Sequence, residues 1–320
     1  MATKFKCNDG IYTVLRNGKA VAISATAGEA VEAIAADAEE IACPPEPPAR
    51  LGLRITTTPG GLPPFDLAAW NTFFDLPANG TPFTDVSVAG DEVTLYGGAG
   101  ITLKASLFRN SATLLKIEDD VDCVVAVAGG KNAGAISLCS ALTTVTLNGV
   151  TTVAQEGLYN NPNLATVNMT ALVNAGASAF AACTNLTTLN TPAVTTIGQD
   201  CYKRCTSIEF FNGINNSIIP NLTSAGVSAF EGCTGTTAFV VNGLSTVANL
   251  LFKDCTNVVT IAIASCTALG STTANNNVFE NCTSLANVYC PTALATVDGG
   301  NPDGDLVYAA GTLGATINYI

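Results

Sequence analysis

One short frame recurs through the last two thirds of this chain, and it leaves room for a single kind of architecture. The frame is an aromatic or leucine, two residues, a cysteine, then apolar residues three and six positions on. Phe180-Ala-Ala-Cys183-Thr-Asn-Leu186-Thr-Thr-Leu189 shows it whole, and it returns at Tyr202/Cys205, Phe230/Cys233, Phe252/Cys255 and Phe279/Cys282. Weaker copies sit at Phe108/Ser111, Leu138/Cys139 and Leu158/Asn161. Between anchors 111, 139, 161, 183, 205, 233, 255 and 282 the steps are 28, 22, 22, 22, 28, 22 and 27 residues. A unit this short cannot bury its apolar face alone, so successive units stack into a solenoid. A solenoid offers a long surface and seldom a deep catalytic cleft.

The apolar pairs after each anchor (Leu142/Val145, Leu164/Val167, Leu186/Leu189, Val258/Ile261, Leu285/Val288) have β-formers between them. They predict one strand per coil in a parallel sheet. The aromatic three residues before the anchor has helical spacing, which predicts a helical turn facing that sheet. A second apolar pair (Val150/Val153, Val194/Ile197, Leu222/Ala225, Leu244/Val247) gives each coil a third side. The expected fold is therefore α/β, a solenoid of about eight coils of 22–28 residues.

The anchor slot is shared by Cys, Asn161 and Ser111, so it calls for a small side chain able to make a hydrogen bond inside the turn. That reads as a ladder of buried free thiols rather than disulfides. Cys7, Cys43, Cys123, Cys201, Cys266 and Cys290 lie outside the frame, and none forms a C-x-x-C pair.

Three segments follow from the pattern: an N-terminal module over residues 1–48, a hydrophobic cap over 49–83, and the solenoid over 84–320. Two alternating runs flank Asn17-Gly18, a strong hairpin signal. Thr26 and Glu29 form a capping box before Val31, Ile34, Ala38 and Ile41 at helical spacing, and Cys43-Pro44-Pro45-Glu46-Pro47-Pro48 reads as a stiff connector. Asp66 is placed to N-cap a short helix carrying Leu67, Trp70, Phe73 and Phe74, a lid for the first coil.

The A-F-x-x-C-x-x-L-x-x-I/L frame resembles the BspA-like leucine-rich repeat, known from bacterial surface proteins and from phage-encoded ones, over roughly residues 100–298. The resemblance implies an adhesive or structural role, and a repeat without catalytic residues of its own. Ser111 and Asn161 in the cysteine slot, and Thr236 in an apolar slot, depart from the pattern.

Composition removes other classes. The net charge is −12 with only 12% charged residues, which argues against nucleic acid and anionic membranes as partners. No histidine is present, so Ser-His-Asp chemistry and His-ligated zinc are out. No cofactor or metal is expected, and no segment has the length of a membrane span. Gly97-Gly-Ala-Gly100 lacks the lysine of a phosphate loop, and six N-x-S/T sequons are what an Asn- and Thr-rich chain produces by chance. Two acidic stretches, Glu118–Asp122 and Asp298–Asp305, lack the spacing of a calcium loop and read as solvated loops.

The overlong repeats carry the candidate binding residues. The extra residues are expected to emerge at one edge of the solenoid, as Glu118, Asp119, Asp120 and Asp122, as Asn212, Asn215 and Asn216, and as Asn275, Asn276 and Asn277. Insertions on one face of a repeat array often bind ligands, although a loop can also simply be tolerated there. Thr and Asn on the outward strand positions could hydrogen-bond glycans, or serve as ordinary strand filler.

The N-terminus shows no apolar leader, which points to a virion component assembled in the host cytoplasm. In that expectation residues 1–48 dock on other virion proteins, many copies share an assembly, and the solenoid faces a host-surface glycan or protein. The alternative is a bacterial cell-surface adhesin. An enzyme would need a carboxylate pair, and only Glu118–Asp122 could compete for that role.

Overall fold

A computed structural model describes residues 3–6, 11–16, 19–24, 52–63, 65–211, 217–270, 277–296 and 303–320. The chain divides into two compact units, Met1–Arg50 and Leu51–Ile320. In the first, strands Thr3–Lys6, Ile11–Arg16 and Lys19–Ser24 form an antiparallel sheet in that order. Arg16 lies opposite Lys19, the antiparallel register a hairpin requires; Asn17-Gly18 falls outside the described residues. The capping box, the helix that follows it and the proline connector fall outside the described residues.

The second unit is a parallel β-solenoid, as its repeat requires. On its first side Leu114–Asp119, Thr144–Leu147, Thr166–Asn168, Thr188–Asn190 and Phe210–Phe211 pair in parallel. On its second side run Ile101–Leu103, Val124–Val127, Thr152–Val153, Asn174–Ala175, Thr196–Ile197 and Ser224–Ala225. Beyond these, Ser217–Ile218, Ala238–Val240, Thr260–Ala262, Asn287–Cys290 and Thr316–Tyr319 make a separate parallel sheet. Thr246–Val247 pairs only with Ala268–Leu269. The alternation is strict: Val145, Val167, Leu189 and Ile261 point inward and are fully buried, and their neighbours are partly exposed.

The third side differs from its prediction. No α-helix forms there; the backbone takes positive φ five residues and one residue before nearly every anchor. Ser178 (53°) and Ala182 (60°), Asp200 (55°) and Arg204 (60°), and Leu250 (61°) and Asp254 (60°) are examples. A left-handed residue ends a helix, so the spacing of three belongs to tight turns instead. Alternate amides then bond within and between coils: Ala181 and Cys183 donate to Ser178 and Phe180, while Phe180 and Ala182 donate to Cys201 and Lys203 of the next coil.

Side chains reinforce this side. Phe180, Tyr202, Phe230, Phe252 and Phe279 stack with ring centroids 5.3, 5.8, 6.0 and 6.3 Å apart. Each anchor thiol donates to the carbonyl of the preceding aromatic position, Cys205 to Phe180 O at 3.1 Å and Cys282 to Phe252 O at 3.0 Å. Asn161 does the same work, with Nδ2 donating to Ile136 O (2.7 Å) and Leu158 O (2.8 Å) and Oδ1 accepting from Cys139 N (2.7 Å). Ile136, fully buried, fills the aromatic slot in that repeat, and Leu138 takes the left-handed position instead. Every described cysteine is free and buried, and burial pushes the thiols of Cys183, Cys233 and Cys282 up to about 12.

Both ends of the stack are closed. Helix α1, Leu67–Phe73, is N-capped by Asp66, which accepts from Ala69 N at 2.8 Å. Trp70 is buried beside Phe65, Phe73 and Phe74, and Phe73 lies 5.5 Å from Phe108 of the first repeat. The parallel coils begin later than residue 84. Asp85–Ala89 and Glu92–Tyr96 form an antiparallel hairpin turning at Gly90 (φ 63°), and Leu53–Thr57 joins that hairpin to Leu114–Asp119. At the other end helix α2, Gly304–Gly311, precedes Thr316–Tyr319, which pairs in parallel with Asn287–Cys290.

Candidate functional site

The acidic stretch 118–122 holds at most a minor part of its insertion. Glu118 and Asp119 stand opposite Thr146 and Leu147, an offset of 28. Ala126 and Val127 stand opposite Thr152 and Val153, an offset of 26. Ile136 donates to Gly157 as Leu158 does to Ala179, which restores the offset of 22. Two extra residues therefore lie between 119 and 126 and four between 127 and 136, mostly at the corner after the second side.

Only part of the stretch is a solvated loop: Glu118 and Asp119 lie in the strand, and residues 120–122 are exposed. Asp119 is buried at the first corner, accepting from Val121 N (3.2 Å) and Val124 N (2.7 Å); burial raises its pKa, and those two bonds oppose the rise. Arg54, opposite Glu118 in the sheet, holds Asp120 at 3.0 Å and Glu118 at 3.8 Å. Asp122 is exposed, in a left-handed conformation (φ 55°). Of the second acidic stretch, residues 298–302 lie outside the described ones, and Asp303 and Asp305 are built in. Asp303 caps α2 by accepting from Asp305 N (2.9 Å), and Asp305 accepts from Val278 N (3.0 Å); both carboxylates are buried. Among the described residues no group of three potential metal ligands converges.

The other two insertions part company. Phe210–Phe211 continues the first side at an offset of 22, and Ser217–Ile218 starts the next sheet beneath Phe239–Val240, so the extra residues interrupt the first side. After Cys255, Leu269 still keeps an offset of 22 from Val247, whereas Asn287–Tyr289 stands 27 from Thr260–Ala262. Those extra residues follow the second side. Two insertions thus fall mainly after the second side and one interrupts the first side, against the expectation of one edge. Asn212, Asn215, Asn216, Asn275 and Asn276 lie outside the described residues. Asn277 is the left-handed residue (φ 58°) that opens a third side, a position of the frame rather than of the loop.

What the fold does assemble is the outward face of the first side. Cross-strand register sets its residues in rows: Lys116, Thr144, Thr166 and Thr188, with Glu118, Thr146, Asn168 and Asn190 beside them. In the later sheet the rows are Ala238, Thr260, Asn287 and Thr316, and Val240, Ala262, Tyr289 and Asn318. The second group is wholly uncharged. Tyr289 is 36% exposed, and Asn318 Nδ2 donates to Asn287 Oδ1 at 3.4 Å.

Sequence reasoning treated the threonines as one class, and the structure splits them. Corner threonines bond to the coil before: Thr206 Oγ1 donates to Thr184 O and Thr234 Oγ1 to Thr206 O, both at 3.1 Å. The recurrence of Thr directly after the cysteine was the signal for that role. No helix among the described residues is long and apolar enough to cross a membrane.

Residues 132–221 and 212–300 match the model of the BspA type leucine rich repeat region, in six copies. Among solved structures, a leucine rich repeat protein of T. pallidum is 18% identical over 55% of this chain and 85% of that one, with a TM-score of 0.33. A leucine-rich repeat protein of Bacteroides ovatus is 17% identical over 62% of this chain and 58% of that one, with a TM-score of 0.32. A leucine rich cell surface protein of Faecalibacterium prausnitzii is 12% identical over 74% and 86%, with a TM-score of 0.23. Among curated proteins, none matches. The family match spans more than half of the sequence and falls on the coils whose ladders are described above: the chain belongs to the BspA type leucine rich repeat family.

Proposed function

We propose that this chain is a non-catalytic adhesive scaffold displayed at a bacterial cell surface, with residues 1–48 holding it to its carrier and the solenoid presented outward. The observation that carries the reading is how carboxylates and threonines are used. Asp119, Asp303 and Asp305 are committed to backbone amides, and Arg54 holds Glu118 and Asp120. The outward strands offer rows of hydroxyl and amide groups suited to recognition of a surface rather than to bond cleavage. Several copies side by side turn weak contacts into useful retention.

Charge supports the anchoring role of the first unit. Lys4, Lys6, Arg16 and Lys19 face Asp9 alone among the first 24 residues of a chain of net charge −12. Such a basic segment fits an acidic carrier.

Beads carrying the full chain are expected to be retained on bacterial cells, host cells or matrix glycoproteins, and to lose retention when the chain is heat-unfolded. Retention on no surface, or turnover of a glycan in the panel, would overturn the reading. Immunogold labelling locates the carrier: label on cells fits the proposal, and label on phage particles would replace the cell surface by a virion.

A further inference from the structure

The later part of the first side holds a group of polar side chains that the fold does not use. Thr260, Asn287 and Thr316 form one outward row, and Ala262, Tyr289 and Asn318 the next. Neighbouring strands lie about 4.8 Å apart, so the six occupy one compact patch. Corner threonines a few residues away, such as Thr267 and Thr283, donate to carbonyls of the preceding coil at 3.1 and 3.4 Å. The patch contrasts with them: its side chains make one mutual bond, Asn318 Nδ2 to Asn287 Oδ1, and a bond from Asn318 to its own strand at Thr316 O (3.3 Å).

Shape and charge narrow what such a patch can hold. Small Ala262 stands beside Tyr289 in the row, which leaves one flank of the ring open, and Tyr289 is 36% exposed although aromatic side chains favour burial. None of the six residues is charged, in a chain that carries 25 acidic side chains. A cationic or anionic partner would find no counter-charge here. Hydroxyls and amides both donate and accept, which matches the vicinal hydroxyls of a sugar, and an exposed ring matches the apolar face of a pyranose.

We propose that this patch is a binding site for uncharged glycan chains, with Tyr289 as the stacking platform and Asn287, Asn318 and the flanking threonines as the hydroxyl contacts. It deepens the adhesive reading and rests on it. The test is a glycan array of neutral and acidic glycans probed with the full chain at low and high salt. Neutral glycans are expected to bind with little salt dependence. Tyr289→Ala and Asn287→Ala should each weaken binding about tenfold, the loss of one stacking or hydrogen-bonding contact. Val88→Ala, exposed on the antiparallel hairpin and outside both sets of rows, should leave it unchanged.

All of these residues face outward, and circular dichroism checks that each variant is folded. Binding to acidic glycans alone, binding to none, or full binding by Tyr289→Ala overturns the assignment. Loss of glycan binding in Tyr289→Ala with cell retention intact would support the glycan site and place the principal contact of the adhesive scaffold elsewhere.

Discussion

The sheets of the solenoid stop and restart at the coil anchored by Cys205, and the third side does not. The first-side sheet ends at Phe210–Phe211 and the second-side sheet at Ser224–Ala225; new sheets begin at Ser217–Ile218 and Thr246–Val247. Across the same junction Tyr202 stacks on Phe230 and Cys233 donates to Tyr202 O at 3.3 Å. Tyr202 N and Arg204 N reach Ala229 O and Glu231 O, both at 2.8 Å. Strands two or three residues long tolerate interruption, because each contributes few bonds. From Phe180 to Phe279 the third side combines backbone bonds, ring stacking and an anchor side-chain bond, so it carries continuity where the repeat is irregular.

Removing the ring beside the junction should therefore do more than removing an ordinary core residue. Phe230→Ala is expected to lose about 3–5 kcal/mol, the usual range for a buried Phe. It should also split calorimetric unfolding into two transitions, one for each set of sheets. Val167→Ala, buried in the unbroken earlier sheet, should shift one transition without splitting it. If both variants unfold in a single step, the third side is not what joins the halves.

The anchor slot gives the next test, because its occupant can be exchanged. Asn161→Ala leaves Ile136 O and Cys139 N without their side-chain partner, and leaves Leu158 O with Cys183 Sγ alone. At about 1–3 kcal/mol per stranded buried group, with some relaxation, roughly 3 kcal/mol should be lost. Asn161→Cys restores the ladder's own chemistry and should lose about 1 kcal/mol. Denaturant titration reads both. Equal losses would mean that the slot selects for volume alone.

That exchangeability was legible in the sequence, since Cys, Asn and Ser share one position of an otherwise regular frame. So were the parallel strands, Asp66 as a cap and the Trp70 cluster, each carried by local spacing. The turn geometry was missed because a spacing of three suits a helical turn and a left-handed turn equally. The evidence that decides it lay one residue before the anchor, where Asn110, Asn160, Gly232, Asp254 and Asn281 are types that accept positive φ. The insertions were misplaced for a different reason. Sequence alignment to the nearest anchor cannot tell which side of a coil absorbs extra residues; only strand register can. The uncharged patch around Tyr289 could not be read either, because its residues sit 27 and 29 positions apart and meet only through that register.

The ends of the solenoid respond to pH differently from its middle. Asp303, buried where α2 begins, has its carboxyl pushed up to about 6 by burial, with the Asp305 carboxylate adding to the rise and the bond from Asp305 N opposing it. The folded state thus binds this proton more tightly than the unfolded chain. Its contribution is fully present below about pH 4 and is lost as pH rises through about 6. Between pH 4 and 8 the C-terminal cap should lose on the order of 2 kcal/mol. Amide exchange at Val278, bonded to Asp305, should speed up accordingly. Asp303→Asn keeps an acceptor for the cap and should flatten this dependence; an unchanged pH profile would remove Asp303 as its source.

The smallest effect is also the most direct probe of what the third side demands. Leu250 holds φ 61° five residues before Cys255, where other repeats place Ser178, Asp200, Ser228 and Asn277. A leucine there is strained by about 1–2 kcal/mol, because its Cβ crowds the following carbonyl. Asparagine relieves much of that by local hydrogen bonding, but gives up the half-buried side chain. The expected balance is a gain of roughly 0.5 kcal/mol for Leu250→Asn, and a similar gain for Leu250→Gly, where greater chain entropy offsets the fuller relief. The gain should appear as slower exchange of the Ser228 and Phe230 amides, which donate to Asn249 O and Leu251 O on either side of Leu250. If both variants destabilise, packing of the leucine outweighs its backbone conformation. The left-handed pairs would then follow from the stacked core rather than constrain it.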